Sequence, residues 1–505
     1  MTGKCVVGVD VGTSSTKGCL VAFDGEVLAT EVRHHSVHRG QVGHVEMDAE
    51  QWWAEYCSIV QSLVAVAKSR RITIASLGVS GMGPCVALAT DEGVPTRPAI
   101  LYGVDTRASE QVTRLHSELG IDEIVARGGS VLTSQAAGPK LAWVREHEPD
   151  VYAKSRRFFM PASWLAWNLT GEYALDHQSA SQCWPLYDIE LRQWHRPWAE
   201  MVCPGIDLPR LAWASDIAGY VTQAASLAIG VPAGTPVIVG SIDAWMEAIS
   251  VGAHRVGDLL LMYGSTMFLV ATTSHPVRHP TLWSTSGALP DTWSLGGGMA
   301  TSGAITDWIR GLWGDEAAPD FGALVGEAAD SGVGARGLLM LPYFAGERTP
   351  LLDPEARGVI AGLTLTHTRG DLYRAALEAT AFGVRHNLDQ LALAGASPER
   401  IVVAGGGTQG GLWTQIVSDI TGIEQVVPSV TVGACFGAAL LAAQAIDSEV
   451  SIDTWNPPAT VVTPSVAVRE FYDERYLRYR DLYTQTTDIA HYLADEQRAQ
   501  EPAQC

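Results

Sequence analysis

KCVVGVDVGTSSTKGCLVAF, residues 4–23, is the stretch on which the reading of the whole chain turns. Val6, Val7 and Val9 form an apolar run ending at Asp10, Gly12-Thr13-Ser14-Ser15 makes a turn with almost no side-chain bulk, and Lys17 to Phe23 reads as a returning strand. A hairpin with so small a turn can close its backbone N–H groups and hydroxyls around a phosphate. Asp10, at the end of the first strand, offers a carboxylate to a Mg²⁺ ion, which takes few protein oxygens and keeps water and nucleotide phosphates as its other ligands. Taken alone, the stretch fits an ordinary tight hairpin equally well. It is not a Walker loop, since no G-x-x-x-x-G-K-[ST] opens a helix here.

A second copy changes the balance. DLLLMYGSTMFLVA, residues 258–271, repeats the plan: an apolar strand, the small turn Gly264-Ser265-Thr266, and another strand. Recurrence at about one domain length predicts two related halves, with a triphosphate held between their hairpins.

At 505 residues the chain is expected to fold as two domains. The net charge of −21 argues against nucleic acid or an anionic membrane as partner. The eight cysteines are scattered without a C-x-x-C pair, the pattern of a reduced, cytoplasmic protein and neither a disulfide scaffold nor a zinc site. Asp10 interrupts the apolar stretch nearest the N-terminus, so no signal peptide is expected. The longest apolar run, Gly433 to Ile446, is too short to span a bilayer.

Asp24-Gly25 is a two-residue turn leading to a third antiparallel strand, Glu26 to Glu31. His34, His35, His38 and His44 cluster in what reads as a plain loop, their spacing fitting no tetrahedral metal site. Asp48 caps a helix over Gln51 to Lys68 whose apolar face is Trp52, Tyr56, Ile59 and Leu63. Ile72 to Val79 is a strand opening into Ser80-Gly81-Met82-Gly83, and such strand ends are where α/β folds place ligands. Asp105 and Arg107 enter a loop after a short strand, suiting either a hydroxyl-rich ligand or a surface ion pair. Phe158 to Gly171 reads as a helix, and Ile217 to Ala233 as turns and short strand. Val237 to Asp243 is a second strand stopping at an acid, with a helix following. Asp243 is placed to act as general base toward a hydroxyl while a γ-phosphoryl group moves; a helix N-cap would serve the same carboxylate. Asp371 to Gly383 reads as a close-packed helix, Ile401 to Ala404 as a buried strand, and Gly405-Gly406-Gly407 as either a nucleotide-facing turn or a flexible link. A terminal helix begins at Val468, and the last residues read as disordered.

These residues together resemble the FGGY family of carbohydrate kinases, over about Lys4 to Ala445. The most specific piece is Gly358-Val-Ile-Ala-Gly-Leu363 with Asp371-Leu-Tyr-Arg-Ala-Ala-Leu-Glu378, matching the family's C-terminal signature; Leu341 to Asp353, LPYFAGERTPLLD, is similar to the xylulokinase branch. The resemblance implies an α/β, two-domain, actin-like ATPase (ribonuclease H-like) fold, duplicated, with a cleft between domains. The expected division is 1–248, 249–460 and a C-terminal helix and tail over 461–505. It implies ATP and Mg²⁺ as cofactors, with Gly12, Thr13, Ser14, Ser15 and Lys17, and from the other half Gly264, Ser265 and Thr266, on the phosphates. Gly303 and Asp307 would line the nucleotide cleft, Gly406 and Gly407 the adenosine pocket, and Asp10 the metal shell. Asp243 falls on the catalytic base, and Met82, Gly83 and Asp105 on sugar-contacting segments. Domain closure would exclude water.

Departures cluster on the substrate side. Gly81-Met82-Gly83-Pro84 stands where xylulokinases carry Gln-Met-His-Gly, Tyr102-Gly-Val-Asp105-Thr-Arg107 replaces a Trp-x-Asp-x-Arg element, and Ala137 replaces a Ser, Thr or Pro. The expectation is phosphorylation of a terminal hydroxyl on a small sugar, with a ketopentose such as xylulose first. Glycerol, a tetritol, ribulose or gluconate is the alternative, and a sugar-independent actin-like ATPase or a filament protein ranks lower. A homodimer is left open.

Overall fold

The computed structural model describes residues 3–312 and 319–500. The chain divides into two compact units. One holds residues up to Arg255, Thr273–Ser294 and Val430–Pro457; the other holds Val256–Thr272, Leu295–Ser429 and the chain from Pro458.

The first unit is built on a mixed sheet in the order Ile217–Tyr220, Pro236–Ile238, Thr73–Gly81, Lys4–Val11, Ser15–Ala22, Val27–His34, with Ser241–Ile242 also paired to Thr73–Gly81. Lys4–Val11 and Ser15–Ala22 are the expected hairpin, antiparallel, with Asp10 opposite Lys17. Lys4–Val11 also runs parallel to Thr73–Gly81. The helix Ala49–Ser69 starts at Asp48, whose carboxylate accepts from Glu50 N, and buries Trp52, Tyr56, Ile59 and Leu63 as the 3.6-residue spacing requires. It lies close enough to the hairpin that a Cβ on Gly18 would stand 2.4 Å from the Ile59 side chain.

The second unit repeats the plan. Its strands Trp293–Met299, Met267–Thr273, Asp258–Tyr263, Arg400–Ala404, Gln425–Pro428 and Pro458–Val462 lie side by side in that order. Asp258–Tyr263 and Met267–Thr273 form the second hairpin, and Asp258–Tyr263 runs parallel to Arg400–Ala404. Each unit thus has a hairpin whose first strand carries a parallel neighbour on its other side.

Several expectations need correction. Arg157–Phe159 is a strand paired with Ala87–Ala89, and the helix begins only at Pro161, where the fixed φ of proline suits the first helical position. Gln223–Ile229, inside the segment read as turns and strand, is a helix capped by Thr222 and stopped by Gly230. The helix read as Asp371 to Gly383 runs from Arg369 to Leu393, the Thr368–Asp371 capping box setting its start.

The helix Ala434–Gln444 packs in the first unit. Its backbone meets the first strand so closely that a Cβ on Gly8 would fall 2.0 Å from the Cys435 carbonyl oxygen. Small residues at both surfaces, distant in sequence, hid that contact. The terminal helix Arg469–Gln500 buries Tyr472, Tyr476 and Tyr479, the last stacked on Phe382 at 5.4 Å. The final five residues, read as disordered, lie outside the described residues. No helix among the described residues is long and apolar enough to cross a membrane.

Candidate active site

Strand register brings the first unit's acids together. Asp10 pairs with Ser80 across parallel strands, and Ser80 pairs in turn with Ser241. Three adjacent strands therefore end at one level, and Asp243 follows two residues beyond Ser241 as the first residue of the helix Asp243–Ser250. This is the carboxyl edge of a parallel sheet, the usual ligand edge of α/β folds.

Ser80 Oγ donates to Asp10 Oδ1 at 2.9 Å, and Ala244 N donates to Asp243 Oδ1 at 2.8 Å. Ser241 Oγ donates to Asp176 at 2.6 Å, tying down the strand that delivers Asp243. Burial first, and the negative charge of Asp243 next, hold the Asp10 carboxyl above its ordinary value, and burial does the same to Asp243. Glu247, one helical turn past Asp243, is pushed up to about 7 by burial. Lys17 opposes part of this at Asp10 and Glu247. The sequence reading missed Glu247 as a member; its i, i+4 spacing from Asp243 was the available signal.

The hairpin turn is braced from outside. His35 N donates to the Ser14 carbonyl at 3.0 Å. The His35 ring lies within hydrogen-bond distance of the Gly12 carbonyl, 3.1 Å, and of Glu55, 2.9 Å, while Glu55 accepts from Thr16 Oγ1 at 2.6 Å. One of the four clustered histidines is therefore a support for the turn. Thr13 Oγ1 meets the Tyr102 hydroxyl at 2.9 Å. Tyr102 is itself held by Lys140, whose Nζ donates to the Leu101 and Tyr102 carbonyls at 2.7 and 2.8 Å.

The other expected residues of this unit fall out unevenly. Lys17 directs its Nζ at the Val432 carbonyl, 2.5 Å away. Met82 is buried and donates its N–H to the Val11 carbonyl at 2.7 Å, and Gly83 abuts Ile242, the residue before Asp243. Asp105 is fully buried, accepting from Val45 N and from Arg107, whose guanidinium also reaches Glu46. It is an interior ion pair and not a surface one.

In the second unit, Gly264-Ser265-Thr266 forms the turn, with Gly264 N donating to the Thr266 carbonyl. The start of the helix Gly303–Gly311 is laced to it: Ser302 N and Ala304 N donate to the Ser265 carbonyl, and Gly303 N to that of Gly264. A Cβ on Gly303 would stand 2.6 Å from the Gly264 carbonyl oxygen, so glycine is required for the approach. Asp307 is exposed on that helix. After Arg400–Ala404 the chain turns at Gly405 with φ +96°. A Cβ on Gly406 would meet nothing within 4 Å, whereas Gly407 packs on Trp413 and Tyr263. Gly406 is the member of the pair with an open backbone face.

Two family models cover most of the chain: the N-terminal domain of the FGGY family of carbohydrate kinases matches residues 5–250, and the C-terminal domain matches 259–446. The chain belongs to the FGGY family of carbohydrate kinases. It is an ATP-dependent sugar kinase of the actin-like ATPase fold. Xylulose kinase of Escherichia coli (strain K12) is 29% identical over 491 residues, 95% of this chain and 98% of that one. Glycerol kinase 2 of Streptomyces avermitilis is 30% identical over 461 residues, covering 87% and 88%. The crystal structure of xylulose kinase from Rhodospirillum rubrum superposes with a TM-score of 0.90 at 30% identity, over 96% of this chain and all of that one.

The donor chemistry of the Asp10 site fits Mg²⁺. Among the described residues no group of three or more His, Cys, Asp or Glu side chains is placed to hold a metal. A hard cation that keeps water and phosphate oxygens does not need one, and Asp10, half-buried beside further carboxylates, is an oxygen donor with surplus negative charge around it.

Proposed function

We propose that this FGGY kinase phosphorylates a terminal hydroxyl of a ketopentose such as xylulose, in the cytoplasm, with Asp243 as general base. The observation that carries the base assignment is the shared level of Asp10, Ser80 and Ser241, which sets Asp243 at a strand edge beside a second carboxylate. Asp243 accepts the proton of the acceptor hydroxyl as its oxygen attacks the γ-phosphorus of ATP. Its anionic form is needed for this, and Lys17 supplies positive charge to the acids beside it. Asp10 would hold the metal, with Ser80 orienting its carboxylate. Mg²⁺, when bound, neutralises charge on the phosphates. The small turns Gly12 to Ser15 and Gly264 to Thr266 each present backbone N–H groups and hydroxyls suited to phosphate oxygens, and Gly406 leaves room for a flat ring. Xylulose kinases among the similar proteins support the ketopentose.

A second reading, another polyol or an aldonate, is favoured by one feature. Gly83 presses on Ile242 where the xylulokinase pattern carries histidine, so a polar sugar contact is replaced by a hydrophobic one. A panel of ketopentoses, glycerol, tetritols and aldonates in a coupled ADP-release assay decides between them. Xylulose should give the highest kcat/KM, and a glycerol or aldonate maximum overturns the ketopentose assignment. ADP release indifferent to every acceptor would remove the sugar altogether.

A further inference from the structure

Three consecutive residues of the second unit clamp three consecutive backbone units of another segment. Glu347 Oε1 accepts from Ala300 N at 2.8 Å. Arg348 Nη2 donates to the Met299 carbonyl at 2.8 Å. Thr349 Oγ1 accepts from Gly298 N at 2.6 Å and donates to Asn387 Oδ1 at 2.6 Å. Immediately beyond the clamped residues, Ser302, Gly303 and Ala304 donate to the carbonyls of Gly264 and Ser265 at 2.9 to 3.1 Å. The seven residues 298–304 are thus held at one end by 347–349 and hold the second hairpin turn at the other.

Resting on the phosphate reading of that turn, we infer that Glu347 is a positioning residue for nucleotide binding, fixing Gly264-Ser265-Thr266 through the 300–304 backbone. Glu347 touches no part of the turn. Its side chain is buried, 4% exposed, and the same Oε1 also accepts from Arg348 N at 2.7 Å. A buried carboxylate accepting two backbone N–H groups is a strong and directional fixture. Burial raises its proton affinity, to a pKa of about 7. A charge so placed is costly in the interior unless it is hydrogen-bonded, and Ala300 N and Arg348 N supply those bonds.

Substitutions separate this role from plain stability. Glu347→Asp keeps the charge but draws the oxygen back by one methylene from Ala300 N. Glu347→Gln keeps the length and the acceptor. With the full-length enzyme, ADP binding by calorimetry and KM for ATP are expected to weaken about tenfold in the Asp variant and to stay within about threefold of the parent in the Gln variant. KM for the sugar should stay within about twofold in both. Gly303→Val, which displaces the turn directly, serves as the control. Loss of ADP binding by Gly303→Val with parental binding by Glu347→Asp, or equal weakening by Asp and Gln, overturns the positioning role alone. Parental ADP binding by Gly303→Val would instead overturn the phosphate reading of the hairpin.

Discussion

Lys17 Nζ donates to the carbonyl of Val432 at 2.5 Å, joining residues 415 apart in sequence. The contact pins the entry of the Ala434–Gln444 helix to the first hairpin and places an ammonium near Asp10 and Glu247. Lys17→Met should lower the unfolding free energy by about 1–3 kcal/mol. The loss should be larger at pH 8, where the acids are ionised, than at pH 5. Denaturant unfolding at the two pH values reads this, and a pH-independent loss would mean that the lysine supports packing only. The ADP affinity of the folded variant reports separately on a phosphate contact, for which a tenfold rise in Kd is the mark.

Asp243→Asn should reduce kcat by about 10²–10⁴-fold, with ADP binding within about twofold of the parent. The amide can still accept the Ala244 N–H, so the helix start is preserved. Because burial raises the Asp243 pKa above its ordinary 3.8, kcat/KM of the parent should fall on acidification along a limb shifted upward from that value. The residual rate of the variant should lack that limb. An Asn variant with normal turnover would reassign the base.

The hairpins were legible because the turns Gly12-Thr13-Ser14 and Gly264-Ser265-Thr266 carry no bulk and are flanked by apolar strands. The place of Asp243 at the end of a strand and the start of a helix was legible from the apolar run before it. What stayed hidden depended on contacts between distant segments. Gly8 and the Ala434–Gln444 helix show no complementary pattern in sequence, since close backbone approach leaves only small residues behind. The burial of Asp105 was not legible from its loop position, because Val45 N, which donates to it, lies 60 residues away. Glu247 was passed over because one acid in an apolar helix reads as an exposed residue until Asp10 and Lys17 are seen beside it.

With Mg²⁺ held at Asp10 as proposed, metal and protons would compete for the clustered acids. A carboxyl whose folded pKa exceeds its unfolded value binds more protons in the folded state. Stability therefore falls as pH rises from the unfolded pKa through the folded one. For Glu247 that window runs from 4.5 to about 7, and Asp10 adds in the same direction from 3.8 upward. Without divalent cation the melting temperature should fall across this range. Mg²⁺ should restore it more at pH 8 than at pH 5.5, because at the lower pH protons already neutralise the site. Equal stabilisation by Mg²⁺ at both values would place the metal elsewhere.

Two helical glycines should respond to alanine with opposite signs. In a helix interior Gly→Ala ordinarily stabilises by about 0.5–1 kcal/mol. Gly326, in the helix Phe321–Ser331, would carry a Cβ that meets nothing within 4 Å, so Gly326→Ala should show that gain and leave kcat unchanged. At Gly437 a Cβ would stand 2.0 Å from the Met246 carbonyl oxygen, a backbone atom of the helix that begins at Asp243. Overpacking of this kind costs about 1–3 kcal/mol, more than the propensity gain. Gly437→Ala should therefore destabilise, and because the helix that yields carries Asp243, kcat should fall with it. Urea midpoints and initial rates on the two variants test both signs. A stabilised, fully active Gly437→Ala would mean that the 434–444 helix can retreat without disturbing the acid.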